Sequence, residues 1–308
     1  MASEQSSPWH DGERALHQRL GIAERMDATG QHAIRPFMPD QHRAFFQQLP
    51  FTLAGSTDRQ GQLWASMLTG APGFITSPTP ERLEIDAVPV AGDPLAEALK
   101  PGAPLGLLGI ELPTRRRNRA NGHVIAADAD GIALRVEQSF GNCPKYIVKR
   151  GYAALAPESP MRVEPIAGLD AETRRLIRGA ETFFVASSQG AGALPDVSHR
   201  GGQAGFVQLD GQDTLIVPDY SGNLFFNTLG NMLLNPRAGL LFPDFATGDL
   251  LQLTGTTEID WDGPDVAALP GAQHLWRFHP TGGQWLRGAL RLRFAQGEVS
   301  PFSPPLAA

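Results

Sequence analysis

Apolar residues in this chain follow two rhythms. Over the first fifty positions they recur at helical spacing: Leu16, Leu20 and Ile22 in DGERALHQRLGIAERM, then Phe45, Phe46 and Leu49 in MPDQHRAFFQQL, which Pro39 and Asp40 open. From residue 51 the apolar runs shorten to strand length and are cut by Gly, Pro and Asp. PFTLAGSTDRQGQLWASML reads as strand, turn, strand. RLEIDAVP, APLGLLGIEL and NGHVIAADADGIALRVEQSF follow, with DADG as a hairpin signal. AETRRLIRGA (171–180) returns briefly to helical spacing. Strand texture resumes in TFFVASS, GFVQLDGQDTLIVPD, RAGLLFPDF and DLLQLTGTTEIDW, where LDGQDTL is a second hairpin turn and NLFFNTLGNMLLN predicts a helix over 224–234.

The second block repeats the first. PFTLAGS and TFFVASS open alike. Ser66 and Ser198, Phe74 and Phe206, and Leu83 and Leu215 are 132 residues apart; Gly106 and Gly239, and Gly122 and Gly255, are 133 apart. A near-constant offset over five anchors predicts two copies of one β-unit rather than a solenoid, whose period is shorter. Each copy holds about six short hairpin-linked strands and one helical segment, before KPGAP or NPRAG, which suggests a small antiparallel barrel. The expected division is a helical segment over 1–50, a first copy over 51–155 and a second over 156–308. Fused copies would pack as a pseudo-dimer, with sites built from both halves.

Composition narrows the function classes. The chain has 308 residues, 42% hydrophobic and only 19% charged, with 34 Gly and 26 Pro, a balance that favours turns and short strands. A net charge of −6 argues against general nucleic-acid binding. A single cysteine forms no internal disulfide, and no apolar stretch has the length of a signal peptide or a membrane span, so a cytoplasmic protein without membrane contact is expected. The eight histidines show no metal-ligand spacing, and no Walker, dinucleotide or hydrolase-elbow motif occurs.

Differences between the copies point to candidate chemistry. Copy two carries Ser198, shared with copy one as Ser66, and Arg200, Asn223, Asn227, Thr228 and Asn231 where copy one is apolar or acidic. Arg200 with the amides of Gly201 and Gly202 could hold an anion, and a helix start bearing Asn and Thr suits a phosphate; capping and turn closure are the alternative roles. In copy one, TRRRNRANG places Arg115, Arg116, Arg117 and Arg119 around a strand start, so one could face a ligand. The lone thiol, Cys143, precedes Lys145 in SFGNCPKYIVKR. With no ligand or base grouping in view, a small side chain beside a cofactor suits it better than a nucleophile or metal ligand.

At these residues the chain resembles the pyridoxamine 5′-phosphate oxidase-like, FMN-binding split-barrel proteins. SHRGGQAGFVQLDGQDTLIVPDYSGNLFFNTLGNMLLNPRAGLLF resembles the flavin-binding half of that family, and EQSFGNCPKYIVKR its Cys-x-Lys terminal segment; the likeness spans about residues 50–260. It implies a mainly β fold with peripheral helices: two six-stranded Greek-key split β-barrels forming an intramolecular pseudo-dimer, with FMN between them. Ser198, Arg200, Gly201, Gly202, Asp219, Asn223, Asn227, Thr228 and Asn231 would hold the cofactor, and Arg117, Cys143 and Lys145 would face it. Copy one lacks the phosphate-binding residues, so one FMN per chain is expected. Asn227-Thr228 stands where oxidases of the family carry Arg-Lys, which argues against pyridoxamine phosphate as substrate. The implied activity is an FMN-dependent oxidoreductase with a small-molecule substrate or electron donor and no named catalytic acid or base. A flavin or haem carrier or sensor, and a cofactor-free scaffold, stay open, as does a homodimer of pseudo-dimers.

Overall fold

The structure is a computed structural model that describes residues 7–306 except 159 and 212. The turn expected in LDGQDTL therefore lies partly outside the described residues, as do the first six residues of the stretch read for a leader.

Three helices open the chain: α1 (Asp11–Arg19), α2 (Ala23–Ala33) and α3 (Asp40–Gln47). A capping box starts α1: the His10 imidazole accepts from the Gly12 amide while Glu13 accepts from the His10 amide. The first predicted helical run is broken at Gly21, whose φ of 66° ends α1. Leu16 is buried, whereas Leu20 at this break is exposed. Phe45, Phe46 and Leu49 insert into the core of the first copy.

The first copy contains β1 (Phe51–Thr57), β2 (Leu63–Thr69), β3 (Ile75–Thr79), β4 (Arg82–Ile85), α4 (Leu95–Ala98), β5 (Pro104–Glu111), β6 (Arg116–Ala127) and β7 (Ile132–Gly141). A linking stretch carries β8 (Tyr152–Leu155), β9 (Arg162–Ile166) and α5 (Ala171–Gly179). The second copy contains β10 (Thr182–Ser187), β11 (Asp196–Gly201), β12 (Gln208–Asp210), β13 (Thr214–Tyr220), α6 (Asn227–Leu234), β14 (Arg237–Pro243), β15 (Leu250–Asp260), α7 (Pro264–Ala267) and β16 (Ala272–Arg287), and β17 (Leu292–Phe294) follows.

Strand order is β2-β1-β5-β6-β7-β4-β3 in one antiparallel sheet and β11-β10-β14-β15-β16-β13-β12 in the other, the same path strand for strand. Each path has seven strands where six were expected; β9 also joins β16, and β17 pairs with β8. The registers follow the sequence offset except in the opening strands. Ser66 lies opposite Ala54 and Ser198 opposite Val185, so β10 is shifted by one residue relative to β1; β6 bulges between Asn121 and Gly122, and β15 between Thr254 and Gly255.

β10 shows why its sequence is continuously apolar. Phe183 and Val185 enter the core of the second copy, while Phe184 and Ala186 enter a separate core shared with Phe51, Leu53 and Ile110 of the first. Alternate residues of one strand thus serve two cores. Two repeat glycines sit where the copies touch. A side chain on Gly106 would run into the Pro195 carbonyl, and one on Gly239 into that of Leu63. Among the described residues no helix is long and apolar enough to cross a membrane.

Candidate functional site

A cleft opens between the copies, with a cavity of about 110 Å³. One wall comes from β6 and the segment after β7; the other comes from β11, the end of β13 and the start of α6.

Arg117 and Arg119, two residues apart on β6, both reach across toward β11. Arg119 is 4% exposed. Its Nε donates to the Val197 carbonyl at 3.0 Å, its Nη1 to Asn227 Oδ1 at 2.7 Å, and its Nη2 to the Ser198 hydroxyl. Thr228 Oγ1 donates to the same hydroxyl at 2.9 Å. The guanidinium also lies over the Phe140 ring, 5.2 Å from its centre, and 3.6 Å from Asp196. Arg117 donates from Nε to the Cys143 carbonyl at 2.9 Å, and its Nη2 lies 3.7 Å from Cys143 Sγ. Burial pulls the Arg117 pKa down to about 10 and lowers that of Arg119, yet both stay charged near neutrality.

α6 begins at Asn227, three residues later than the pattern predicted. Leu224 and Phe226 have φ of 64° and 59°, the left-handed region, and continue no right-handed helix. No side chain caps α6, and the first amides of a helix have no partner within it. Residues 226–229 line the cleft. Tyr146, with φ of 66°, lines the opposite wall. Three of the four non-glycine residues with positive φ among the described residues thus border one cleft, where strain is commonly functional.

Ten of the twelve expected site residues line this cleft: Arg117, Cys143, Lys145, Ser198, Arg200, Gly201, Asp219, Asn223, Asn227 and Thr228. Their roles differ from the sequence reading. Arg200 is paired with Asp219 at 3.3 Å. Gly201 gives passage to the opposite wall, since a side chain there would strike the Tyr146 carbonyl. Lys145 stands at the exposed mouth, 3.5 Å from the Ser221 carbonyl, to which the Tyr146 hydroxyl also donates at 2.8 Å. Cys143 is half-buried. The structure sets the other two apart. The Gly202 amide donates to the Glu181 carbonyl, and Asn231 turns behind the cleft to Ser187 and Asp196.

Sequence reasoning offered Arg119 as one of four arginines around a strand start and settled on Arg117 alone, although their spacing puts both on one face of a strand. It missed Tyr146, Tyr220, His199 and Glu13. Burial and the Arg117 and Arg200 charges hold His199 well below its ordinary pKa; its ring packs on Phe184 in the inter-copy core. Glu13, 3% exposed, reaches in from α1 and accepts from Asn227 Nδ2 at 2.6 Å. Burial, then the nearby Asp196 charge, pushes its carboxyl up to about 8.

The pseudo-symmetric position is built differently. Gln252 takes the place of Arg119: its Nε2 donates to the Ala65 carbonyl at 3.0 Å and to the Ser66 hydroxyl at 3.2 Å. Ser66 donates to buried Asp93 at 2.6 Å, and Gln284, at the place of Phe140, donates to Gln252. This counterpart is a closed, uncharged amide cluster around a carboxylate whose pKa burial raises.

Residues 169–294 match the family model described as pyridoxamine 5′-phosphate oxidase. The matched segment carries β10 to β17 and the α6 side of the cleft. No curated protein matches the chain. Solved structures similar to parts of it include a FAD-binding protein from Mesorhizobium loti (15% identity, 40% of this chain and 97% of the other, TM-score 0.29). Others are HutZ, the haem storage protein of Vibrio cholerae (16%, 39% and 95%, 0.28), and a Clostridium acetobutylicum protein of the pyridoxinephosphate oxidase family (15%, 41% and 92%, 0.27). Among the described residues no three His, Cys, Asp or Glu side chains form a metal site.

Proposed function

We propose that the chain is an FMN-binding flavoprotein acting as an oxidoreductase, with one cofactor per chain in the inter-copy cleft. The observation that carries this reading is the uncapped start of α6 facing a wall that holds Arg117 and Arg119. Free helix amides and fixed guanidinium charges together suit a phosphate dianion. Ser198 and Thr228 add hydroxyls on the same side, and Tyr146 and Tyr220, with ring centres 5.2 Å apart, supply flat walls for a ring system. The Gln252 cluster offers no such charge, which supports one site rather than two.

When bound, the flavin would supply the hydride or electron chemistry. The residues of the chain bind and orient. Arg119 holds the Ser198 hydroxyl and the Asn227 amide in place. Cys143 and Tyr146 close the wall opposite, and Lys145 stands at the mouth where a reaction partner enters. Haem binding, named for the Vibrio protein, fits less well. The histidine lining this cleft, His199, is turned against Phe184 rather than into the open space where an axial ligand is needed.

Absorption and fluorescence titration of the purified chain test the reading. Uptake of one FMN per chain, weakened at least tenfold in Arg119→Ala, is the expected result. A Soret band with bound haem, or no FMN uptake, would overturn it.

A further inference from the structure

The cleft has a third contributor that belongs to neither copy. Helix α1 lies on α6 at a point where both helices carry glycine: a side chain on Gly12 would run into the Gly230 carbonyl, and one on Gly230 would press on Glu13. This close approach sends Glu13 beneath the cleft floor. From Glu13 a continuous chain of hydrogen bonds runs to the cleft. Glu13 Oε1 accepts from Asn227 Nδ2, Asn227 Oδ1 accepts from Arg119 Nη1, and Arg119 Nη2 reaches the Ser198 hydroxyl. The Asn227 amide has one orientation compatible with both neighbours. Its nitrogen needs an acceptor at Glu13, and its oxygen needs the Arg119 donor.

We propose that Glu13 is a positioning residue for the cleft and takes up a proton from solvent when an anionic ligand enters. This rests on the cleft being an anion site. The groups facing Glu13 are His10 from its own helix, Asp196 from β11, Arg119 from β6 and the uncharged Asn227 from α6. Burial disfavours the charged form of His10, and among the described residues Arg119 is the cation that faces both carboxylates. A ligand anion engaging the Arg119 wall competes for that cation. The remaining negative charge is then relieved by protonating Glu13, which is already poised near 8. Reciprocally, the ligand binds best while Glu13 is protonated, and affinity falls as pH rises through that value.

The test uses the full chain with FMN as probe, by calorimetry in two buffers of different ionisation heat and by titration between pH 7 and 9.5. Wild type should take up a fraction of a proton near pH 8 and bind roughly tenfold more weakly at the upper end. Glu13→Gln, which mimics the protonated side chain, should bind FMN with no proton uptake attributable to residue 13 and a flat profile in that window. Equal proton uptake and equal pH profiles in the two proteins would overturn the proposal. Failure of FMN to bind either protein would count against the flavin reading instead. The proposal then stands or falls on the ligand-free chain: the infrared carboxylic-acid band lost in Glu13→Gln must be present at pH 6 and disappear above pH 9. A Glu13 that is already ionised at pH 6 would sink it.

Discussion

Arg119 and Gln252 occupy the same station in the two sheets. Each lies two residues before a β-bulge, and each reaches the second strand of the other copy, where it meets a backbone carbonyl and a serine hydroxyl. Only Arg119 brings a charge and a third donor direction, spent on Asn227. Arg119→Gln should therefore convert the cleft into a likeness of its silent counterpart. The expected outcome is an unchanged far-ultraviolet circular dichroism spectrum with FMN affinity reduced by about a hundredfold, near 3 kcal/mol for one charge-assisted contact. A fluorescence titration decides it.

Stability should depend on pH through Glu13. Its folded-state pKa is raised from 4.5 to about 8, so the folded chain favours the protonated form. Its contribution is complete below about pH 4.5, declines between there and 8, and is lost above. Between pH 5 and 8.5 wild type should lose a few kcal/mol more than Glu13→Gln, on the scale of ~1.4 kcal/mol for each tenfold difference in proton affinity between the folded and unfolded chain. Urea unfolding of both proteins at the two pH values measures the difference.

Gly201 sets the spacing of the cleft walls. In Gly201→Ala the new methyl meets the Tyr146 carbonyl, backbone against backbone, with no flexible side chain to yield. The segment around Cys143 should move outward, breaking the Tyr146 hydroxyl bond to Ser221. We expect a loss of about 1–3 kcal/mol in stability and faster release of bound FMN, read by thermal unfolding and stopped-flow fluorescence.

Gly106→Ala should strike the contact between copies rather than the cleft. Its methyl would meet the Pro195 carbonyl on the strand-entry loop of β11. The lower melting temperature should be matched by Gly239→Ala, whose methyl meets Leu63 at the mirrored contact. Differential scanning calorimetry of the two variants compares them; a change confined to one would mean that the contacts are not equivalent.

The repeat was legible because its anchors are positions where geometry leaves little choice. Gly106 and Gly239 permit close approach, Gly122 and Gly255 follow bulges, and Phe74 and Phe206 each fold back on a glycine four residues earlier. Most of the cleft was legible for a related reason: polar residues in copy two replaced apolar ones in copy one. What stayed hidden depended on contacts distant in sequence. Glu13 lies 214 residues from Asn227, and at the third position of α1 it looks like an ordinary capping-box residue. Asn231 shares a face of α6 with Asn227, but it lies one turn, about 6 Å, further along the axis, where it meets Ser187 and Asp196 instead of the cleft. The start of α6 was misplaced because LeuPhePhe reads as helical, while two left-handed residues, Leu224 and Phe226, in fact turn the chain there.

The glycine-paired seam between the copies has one more consequence. In a dimer of identical subunits every substitution appears at both symmetry-related places, so an arginine needed in one crevice is imposed on the other. Joining two sheets of the same path in one chain removes that obligation. Each face of the seam can then change alone, and the divergence of Arg119 from Gln252, or of Phe140 from Gln284, is a kind of variation that no symmetric ancestor could hold.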